Sequence, residues 1–60
     1  MSFFKVGEVL VRRYEPFDYI IIINIKPIPR DCPTVYFKFL DHGELSLLTE
    51  KHVLRKYDKI

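Results

Sequence analysis

A run of four isoleucines inside the segment Tyr19–Ile25 most constrains what this chain can fold into. Dense β-branched side chains disfavour a helix, and the segment is too short to form one. It therefore predicts a β-strand. A strand with one wet face would alternate apolar and polar residues, which this one does not. Both of its faces need cover, either from the protein's own core or from another chain.

Further short apolar runs lie on both sides of this strand. They are separated by Pro and Gly, and they comprise Phe3–Tyr14, Thr34–Leu40, Glu44–Leu48 and Val53–Tyr57. Strands at such spacing are typical of a small all-β domain that closes on itself. We predict a five-stranded barrel formed by residues 1–60 as a single domain, with a bend or bulge in its first strand at Gly7.

The segments around the isoleucine strand carry turn signals. Glu15–Asp18 predicts a turn because Pro16 cannot donate a ladder hydrogen bond, and the Phe17 side chain there can fold back over the core. The loop that follows the strand is predicted to be stiff and extended, since it contains Pro27, Pro29 and Pro33.

The aromatic hairpin is the clearest pattern in the chain. Apolar and polar residues alternate in Thr34–Leu40, which predicts a strand whose core-facing side is formed by Val35, Phe37 and Phe39. Asp41–Gly43 predicts a three-residue hairpin loop in which Gly43 takes the left-handed conformation. After that loop, Leu45 and Leu47 are expected to face inward.

The C-terminal segment is compatible with two structures. In the first, Thr49 caps a single 3-10 turn that leads into a final strand, Val53–Tyr57. In the alternative, Thr49–Lys59 is one short helix, because apolar residues recur three and four positions apart. The fold is then a four-stranded antiparallel sheet with a short C-terminal helix. We rank the five-stranded barrel first.

The order of these elements resembles the Src-homology-3-like (SH3-like) small barrels, including their Tudor-like and ribosomal-type versions. Their first strand often begins with a step similar to Val6-Gly7-Glu8-Val9. The order is also similar to that of small uncharacterised barrel proteins of bacteriophages. The resemblance implies the barrel fold, whereas function has to be argued from a site. Because the chain has no tryptophan, the binding of proline-rich peptides is not carried over from this family.

Chain length limits the stability of such a fold. A domain of 60 residues buries only about 60% of the surface that its unfolded chain exposes, so we expect marginal stability. The single cysteine, Cys32, excludes an internal disulfide, and self-association is the expected supplement. A lone cysteine also indicates a reducing compartment, and we expect a soluble cytoplasmic protein, in the host cytoplasm if it is viral. Neither a signal peptide nor a membrane span is predicted.

Few residues suggest catalysis or metal binding. Asp41 and His42 occupy the predicted hairpin tip, His52 follows a helix cap, and Cys32 lies in the proline-rich loop. These positions lack paired-ligand spacing and any partner motif. Side chains fill the interior of a barrel this small, which leaves no cleft for a small-molecule substrate. We predict a protein without enzymatic activity, metal or cofactor.

Basic and aromatic residues gather at the end of the first strand and in the C-terminal segment, which barrel closure would bring together. Small nucleic-acid-binding barrels hold phosphates with Lys and Arg and stack bases on Tyr. The candidate residues are Arg12, Arg13, Tyr14, Lys51, Arg55, Lys56 and Tyr57. Since the net charge is only +2 and charge also protects strand edges from aggregation, nucleic-acid binding is the alternative function.

An apolar interface is the function that we rank first. If the core takes Ile20 and Ile22, the opposite side of the isoleucine strand is free to meet a partner. The candidate interface is Tyr19, Ile21, Ile23 and Ile25. We therefore expect a non-enzymatic protein-interaction or structural module, a self-associating small viral or accessory protein. Its partner would be a second copy of itself or another protein, and not a membrane.

Overall fold

The computed structural model describes residues 3–60, apart from the side chains of residues 15–17. In this part of the chain the strands are β1 (Val9–Arg12), β2 (Glu15–Lys26), β3 (Thr34–Phe39), β4 (Leu45–Thr49) and β5 (Tyr57–Lys59). One helix, α1 (Glu50–Lys56), lies between β4 and β5. The strands form one sheet in the order β4-β3-β2-β1-β5, and every neighbouring pair is antiparallel.

Five antiparallel strands with a short helical element before the last one confirm the predicted all-β class. The C-terminal segment combines both expectations, because it contains the short helix of the alternative as well as a final strand. That strand begins at Tyr57, and the prediction that it spans Val53–Tyr57 was wrong. Val53 and Tyr57 are both buried. Residues four positions apart lie on one side of a helix, so a helix that ends at Lys56 brings both side chains to the core.

The sheet is strongly curved but not closed. In the described residues β4 and β5 are its two edges and do not pair with each other. β3 and β5 are three positions apart, which would separate them by about 14 Å in a flat sheet. The rings of Phe37 on β3 and Tyr57 on β5 nevertheless lie 5.9 Å apart. The sheet thus curls around its core, as in a small barrel-like fold, without barrel closure.

The first strand is shorter than the sequence predicted. β1 starts only at Val9, and Gly7, with a φ of 90°, lies in a turn before it rather than at a bend within it. The chain then turns at residues 13–14, and β2 already begins at Glu15, so the predicted turn at Glu15–Asp18 was wrong. Pairing of Arg12 with Glu15 leaves only two residues for the hairpin loop. The expectation for the Phe17 side chain falls outside the described residues.

The core lies between one side of the sheet, α1 and the N-terminal segment 3–8. We call this side of the sheet the covered face. Phe4 from the N-terminal segment, Val53 from α1 and Tyr57 from β5 pack against it. The remaining core side chains come from β1, β2 and β3, and they are Leu10, Ile20, Ile22, Val35 and Phe37.

Hydrogen bonds to α1, β2 and β5 hold the N-terminal segment in place. The Phe3 N–H donates to Glu50 Oε1 at 2.8 Å, and Glu50 is the buried charged residue of α1. The Gly7 N–H donates to the Ile22 carbonyl at 2.7 Å. Since a buried carboxylate is costly to leave without a donor, the first contact ties the position of the segment to that of the helix.

A β-bulge in β2 changes which of its side chains face the core. Ile22 pairs with Phe37, but Asn24 pairs with Tyr36, so Ile23 is an extra residue without a cross-strand partner. An inserted residue reverses the alternation beyond it. Ile25 consequently pairs with the buried Val35 and packs against the core cluster.

The hairpin between β3 and β4 is one residue longer than predicted. The Phe39 N–H donates to the Glu44 carbonyl at 2.9 Å, and the Gly43 N–H donates back to the Phe39 carbonyl at 2.9 Å. Residues 40–43 therefore form the loop, with Gly43 at the expected positive φ of 76°. A one-residue change of register turns every side chain to the other face. The prediction that Leu45 and Leu47 face inward was accordingly wrong.

Candidate protein-interaction surface

Apolar side chains dominate the side of the sheet that faces away from the core. We call this side the outer face. Residues directly opposite each other on neighbouring antiparallel strands share one face, and the pairing connects Leu45 to Lys38, Lys38 to Ile21, and Ile21 to Val9. The outer face comprises Val9, Val11, Tyr19, Ile21, Asn24, Tyr36, Lys38, Leu45 and Leu47, with Lys26, Thr34, Thr49 and Asp58 at its margins.

The most exposed apolar residues of this face lie on β4. Leu45 is 68% exposed and Leu47 is 54% exposed, against 37% for Tyr19. Leu47 pairs with Tyr36, which in turn pairs with Asn24. Because α1 and the N-terminal segment both pack on the covered face, these side chains are open to a partner. Its polar members are Asn24 and Lys38 within the face, and Lys26, Thr34, Thr49 and Asp58 at its margins.

The four candidate interface residues do not all lie on one side of the sheet. Tyr19 and Ile21 belong to the outer face, where Tyr19 pairs with Val11. Ile23 lies in the bulge and is exposed. Ile25 lies on the covered side, because the bulge reverses the alternation before it. The isoleucine strand is thus covered by the core on one side, through Ile20 and Ile22, and open on the other.

The sequence predicted a strand at Leu45 and Leu47 but did not determine the face on which they lie. The segment Leu45–Thr49 alternates poorly, with apolar residues at three of its positions, so either face could have been the buried one. The length of the loop before it decides the orientation. A four-residue loop, rather than a three-residue one, was the signal needed to place both leucines on the outer face.

The basic residues predicted as a nucleic-acid surface fall into two groups with different surroundings. The first group lies at the end of β1, where Arg12 is 3.4 Å from an Asp18 carboxylate oxygen. The Arg13 guanidinium contacts Asp58 at 2.9 Å and also donates to the Leu54 carbonyl at 2.9 Å. Both arginines are therefore partly neutralised by neighbouring carboxylates.

The second basic group lies on the exposed side of α1. Lys51, Arg55 and Lys56 are exposed, and among the described side chains none of them is within ion-pair distance of a carboxylate. Of the two predicted tyrosines, Tyr14 is exposed and Tyr57 is buried in the core. Tyr57 is accordingly not available to stack on a base.

The residues with potential metal or catalytic chemistry are dispersed. In the described part of the chain, His, Cys, Asp and Glu side chains form no group of three that could hold a metal ion. His42 stacks on Phe39 with ring centroids 4.8 Å apart, and His52 Nδ1 is 2.7 Å from Thr49 Oγ1. Cys32 lies in the loop before β3, at the rim of an open cleft that also contacts Pro27, Ile28 and Leu54.

Comparison of this chain with protein families, with curated proteins and with solved structures gave no match. Among the described residues, no helix has both the length and the apolar character that crossing a membrane requires. The function therefore has to be inferred from the surfaces of the molecule, and the outer face is the largest departure from an ordinary polar surface.

Proposed function

We propose that this protein is a non-enzymatic interaction module that associates with itself through the apolar outer face of its sheet. The observation that carries the proposal is the pair of exposed leucines, Leu45 and Leu47, on the same face as Tyr19 and Ile21. Contiguous exposed apolar patches on small soluble proteins mark interaction sites or aggregation liabilities.

The size of the domain supports the same proposal. The core cluster comprises few side chains, and a domain of this length gains little stability from its own core. Contact between the exposed apolar side chains of two chains adds burial that the single chain cannot supply. Self-association requires no further component, and a symmetric interface is the commonest way to obtain it.

We also propose that this fold is structurally related to the SH3-like small barrels. Five antiparallel strands, a curved sheet and a short helical element before the last strand support it. The unpaired edges of β4 and β5 are the point at which this chain departs from a closed barrel. An open sheet leaves a strand edge beside the outer face, which a closed barrel would not.

The solution mass tests the proposed function. Light scattering behind a sizing column, at low and at high salt, should give a discrete oligomer that persists in high salt, because apolar association does not depend on ion pairs. Leu47→Asp should reduce the mass to that of the monomer. Leu54→Asp is the matched control, since Leu54 is also an exposed leucine, 38% against 54%, but lies on α1.

Two results would contradict the proposal. One is a wild-type monomer at all protein concentrations and both salt concentrations. The other is an oligomer that Leu54→Asp disrupts and Leu47→Asp does not, which would place the interface on the helical side. Circular dichroism of both variants shows whether each one is folded before its mass is compared.

Nucleic-acid binding is a second candidate function, favoured by the cations of α1 that lack carboxylate partners. Lys51, Arg55 and Lys56 would contact phosphates, and the affinity would fall steeply with salt. Fluorescence anisotropy with a labelled single-stranded oligonucleotide tests this. The double variant Lys51→Glu/Arg55→Glu should lose binding, whereas Lys26→Glu/Lys38→Glu, with the same change in net charge, should retain most of it.

Equal loss of binding in both double variants would show attraction to net charge without a site on α1. No binding by the wild-type protein at low salt would exclude this function for the nucleic acids tested. Because Lys38 lies on the outer face, the solution mass of both double variants is measured first, and binding is compared at the same oligomeric state.

A further inference from the structure

The two edges of the sheet differ in ways that bear on what can pair with them. β5 is only three residues long and includes Asp58 and Lys59. Arg13 binds Asp58, and the Lys59 ammonium is 3.4 Å from a Glu8 carboxylate oxygen and 2.9 Å from the Phe3 carbonyl. Short, charged edge strands are a common protection against pairing with another chain. β5 has this protection.

β4 has no such protection. Its sequence is Leu-Ser-Leu-Leu-Thr, without a charged residue or a proline. Exposed, uncharged and partly apolar edges are templates for the addition of another strand. Leu45 and Leu47 are also the most exposed apolar residues of the outer face, so the edge and the apolar face adjoin.

The hydrogen bonds of the β3–β4 pair show which main-chain groups of β4 point away from the sheet. The Phe39 N–H donates to the Glu44 carbonyl, so Glu44 belongs to a hydrogen-bonded pair. Such pairs alternate along an antiparallel ladder. The main-chain groups of Ser46 and Leu48 therefore point towards β3, and those of Leu45, Leu47 and Thr49 point outward.

We propose that the β4 edge pairs with the β4 edge of a second copy of this chain, antiparallel and around a two-fold axis at Leu47. In this register the two Leu47 residues are opposite each other and exchange both of their main-chain hydrogen bonds. The Thr49 N–H of each copy donates to the Leu45 carbonyl of the other. The Thr49 carbonyl is left to the first turn of α1, as is usual for a residue that precedes a helix.

The occupant is a second copy because the strand is complementary to itself in this register. An edge with charges would place like charges opposite each other on symmetric pairing, and β4 has none. The pairing brings the two Leu47 side chains together on the outer face. It also places Glu44 of each copy opposite Glu50, the first residue of α1 of the other, where Glu50 is buried and accepts the Phe3 N–H, and the next residue, Lys51, is exposed.

This inference rests on the proposed self-association and specifies its geometry. The two sheets would join into one, and the two outer faces would form a continuous apolar surface around the axis. Leu45, Leu47 and Tyr36 would lie nearest to that axis, and Tyr19 farther away.

Site-specific disulfide formation tests the register. The two cysteine variants, Leu47→Cys and Leu45→Cys, are made in a Cys32→Ser background, so that each chain has one thiol. Across the two-fold axis the Cα atoms at position 47 would be about 5.5 Å apart, which suits a disulfide. Those at position 45 would be about 14 Å apart, which does not. Under mild oxidation Leu47→Cys should become a covalent dimer, and Leu45→Cys should stay monomeric on a denaturing gel.

Leu47→Pro provides a second test that does not depend on thiols. The N–H that it removes points away from β3, so the sheet within one chain keeps its hydrogen bonds, and edge strands tolerate proline. We expect Leu47→Pro to lower the mass to that of a monomer. Leu47→Val, which keeps the N–H and an apolar side chain, should remain a dimer at the same protein concentration.

The outcomes separate this inference from the proposed function. An oligomeric wild type with efficient cross-linking at position 47 and none at position 45 supports the edge pairing. Equal cross-linking at both positions, or none at position 47, overturns the edge pairing and leaves self-association intact. If Leu47→Pro proves unfolded by circular dichroism, the cysteine pair alone decides. A monomeric wild type overturns the edge pairing together with self-association.

Discussion

The two faces of this sheet are built from the same few strands, yet only one of them is covered. Ile20 and Ile22 of β2 are fully buried, whereas Tyr19 and Ile23 on the same strand are exposed by about two fifths. α1 and the segment 3–8 pack on the covered face, and in residues 3–60 no element packs on the outer one. The difference shows that the described elements cover one face of an apolar sheet and leave the other open.

A truncation on each face should give the largest contrast. Phe37→Ala removes a ring that is 1% exposed from the centre of the covered face, and we expect it to lower the free energy of unfolding by about 3–5 kcal/mol. Leu45→Ala on the outer face should cost less than about 1 kcal/mol in the monomer. Urea unfolding at low protein concentration measures both. Similar losses for the two variants would contradict the division into a covered and an open face.

Deletions in β2 test whether the bulge sets the two faces. Deleting Ile23 should close the bulge and leave Ile22 paired with Phe37 and Ile25 paired with Val35. We expect the deletion of Ile23 to lower the free energy of unfolding by only about 1 kcal/mol. Deleting Ile21 shifts the preceding part of β2 by one residue, turns Ile20 out of the core, and should prevent folding. Amide hydrogen exchange of both variants measures the protected strands, and equal damage would show that register is not decided at the bulge.

Substitutions at Glu50 test how much the contact between the N-terminal segment and α1 stabilises the packing on the covered face. Glu50→Ala removes the acceptor of the Phe3 N–H, and we expect a loss of about 1–3 kcal/mol. Glu50→Gln keeps an acceptor oxygen and should lose less. Glu44→Ala is the exposed control and should change the free energy of unfolding very little. The same urea titration measures the free energy of unfolding of all three variants. An unchanged free energy of unfolding for Glu50→Ala would mean that Phe4 holds the segment without this hydrogen bond.

The loop before β3 provides the smallest expected effect, because it belongs to neither face. Arg30 has a positive φ of 64°, and the Asp31 N–H donates to the Ile28 carbonyl at 3.2 Å. With Pro29 between them, these residues form a turn that favours glycine at the position of Arg30. Arg30→Gly should raise the free energy of unfolding by about 0.5–1 kcal/mol. Arg30→Ala, which keeps the strained backbone, should not, and a gain in both variants would assign the effect to charge.

Local sequence patterns predicted most of the architecture. The isoleucine run, the alternation around Phe37 and the glycine of the β3–β4 loop each produced the expected strand or turn. The C-terminal segment was divided between two expectations because Val53, Leu54 and Tyr57 fit one helical side and are also acceptable in a strand. Packing determined the secondary structure of this segment, since a short helix buries Val53 and places Tyr57 in the core.

The candidate site was predicted in part, and the errors share one cause. Tyr19 and Ile21 lie on the predicted face, Ile25 does not, and Leu45 and Leu47 were assigned to the wrong side. In each case one residue, Ile23 in the bulge or the extra loop residue between Phe39 and Glu44, reverses the alternation. Propensity does not detect such an insertion, because both the longer and the shorter pairing leave apolar residues in the strands.

The sequence by itself determined that this chain forms short antiparallel strands and has more apolar sheet surface than one small core can bury. Only the tertiary structure decided which side chains remain outside. The physical reason is the two-residue period of a strand, by which a single inserted residue moves all following side chains to the opposite face. Leu45 and Leu47 lie on the outer face because the register between β3 and β4 places them there, and not because of their chemical character.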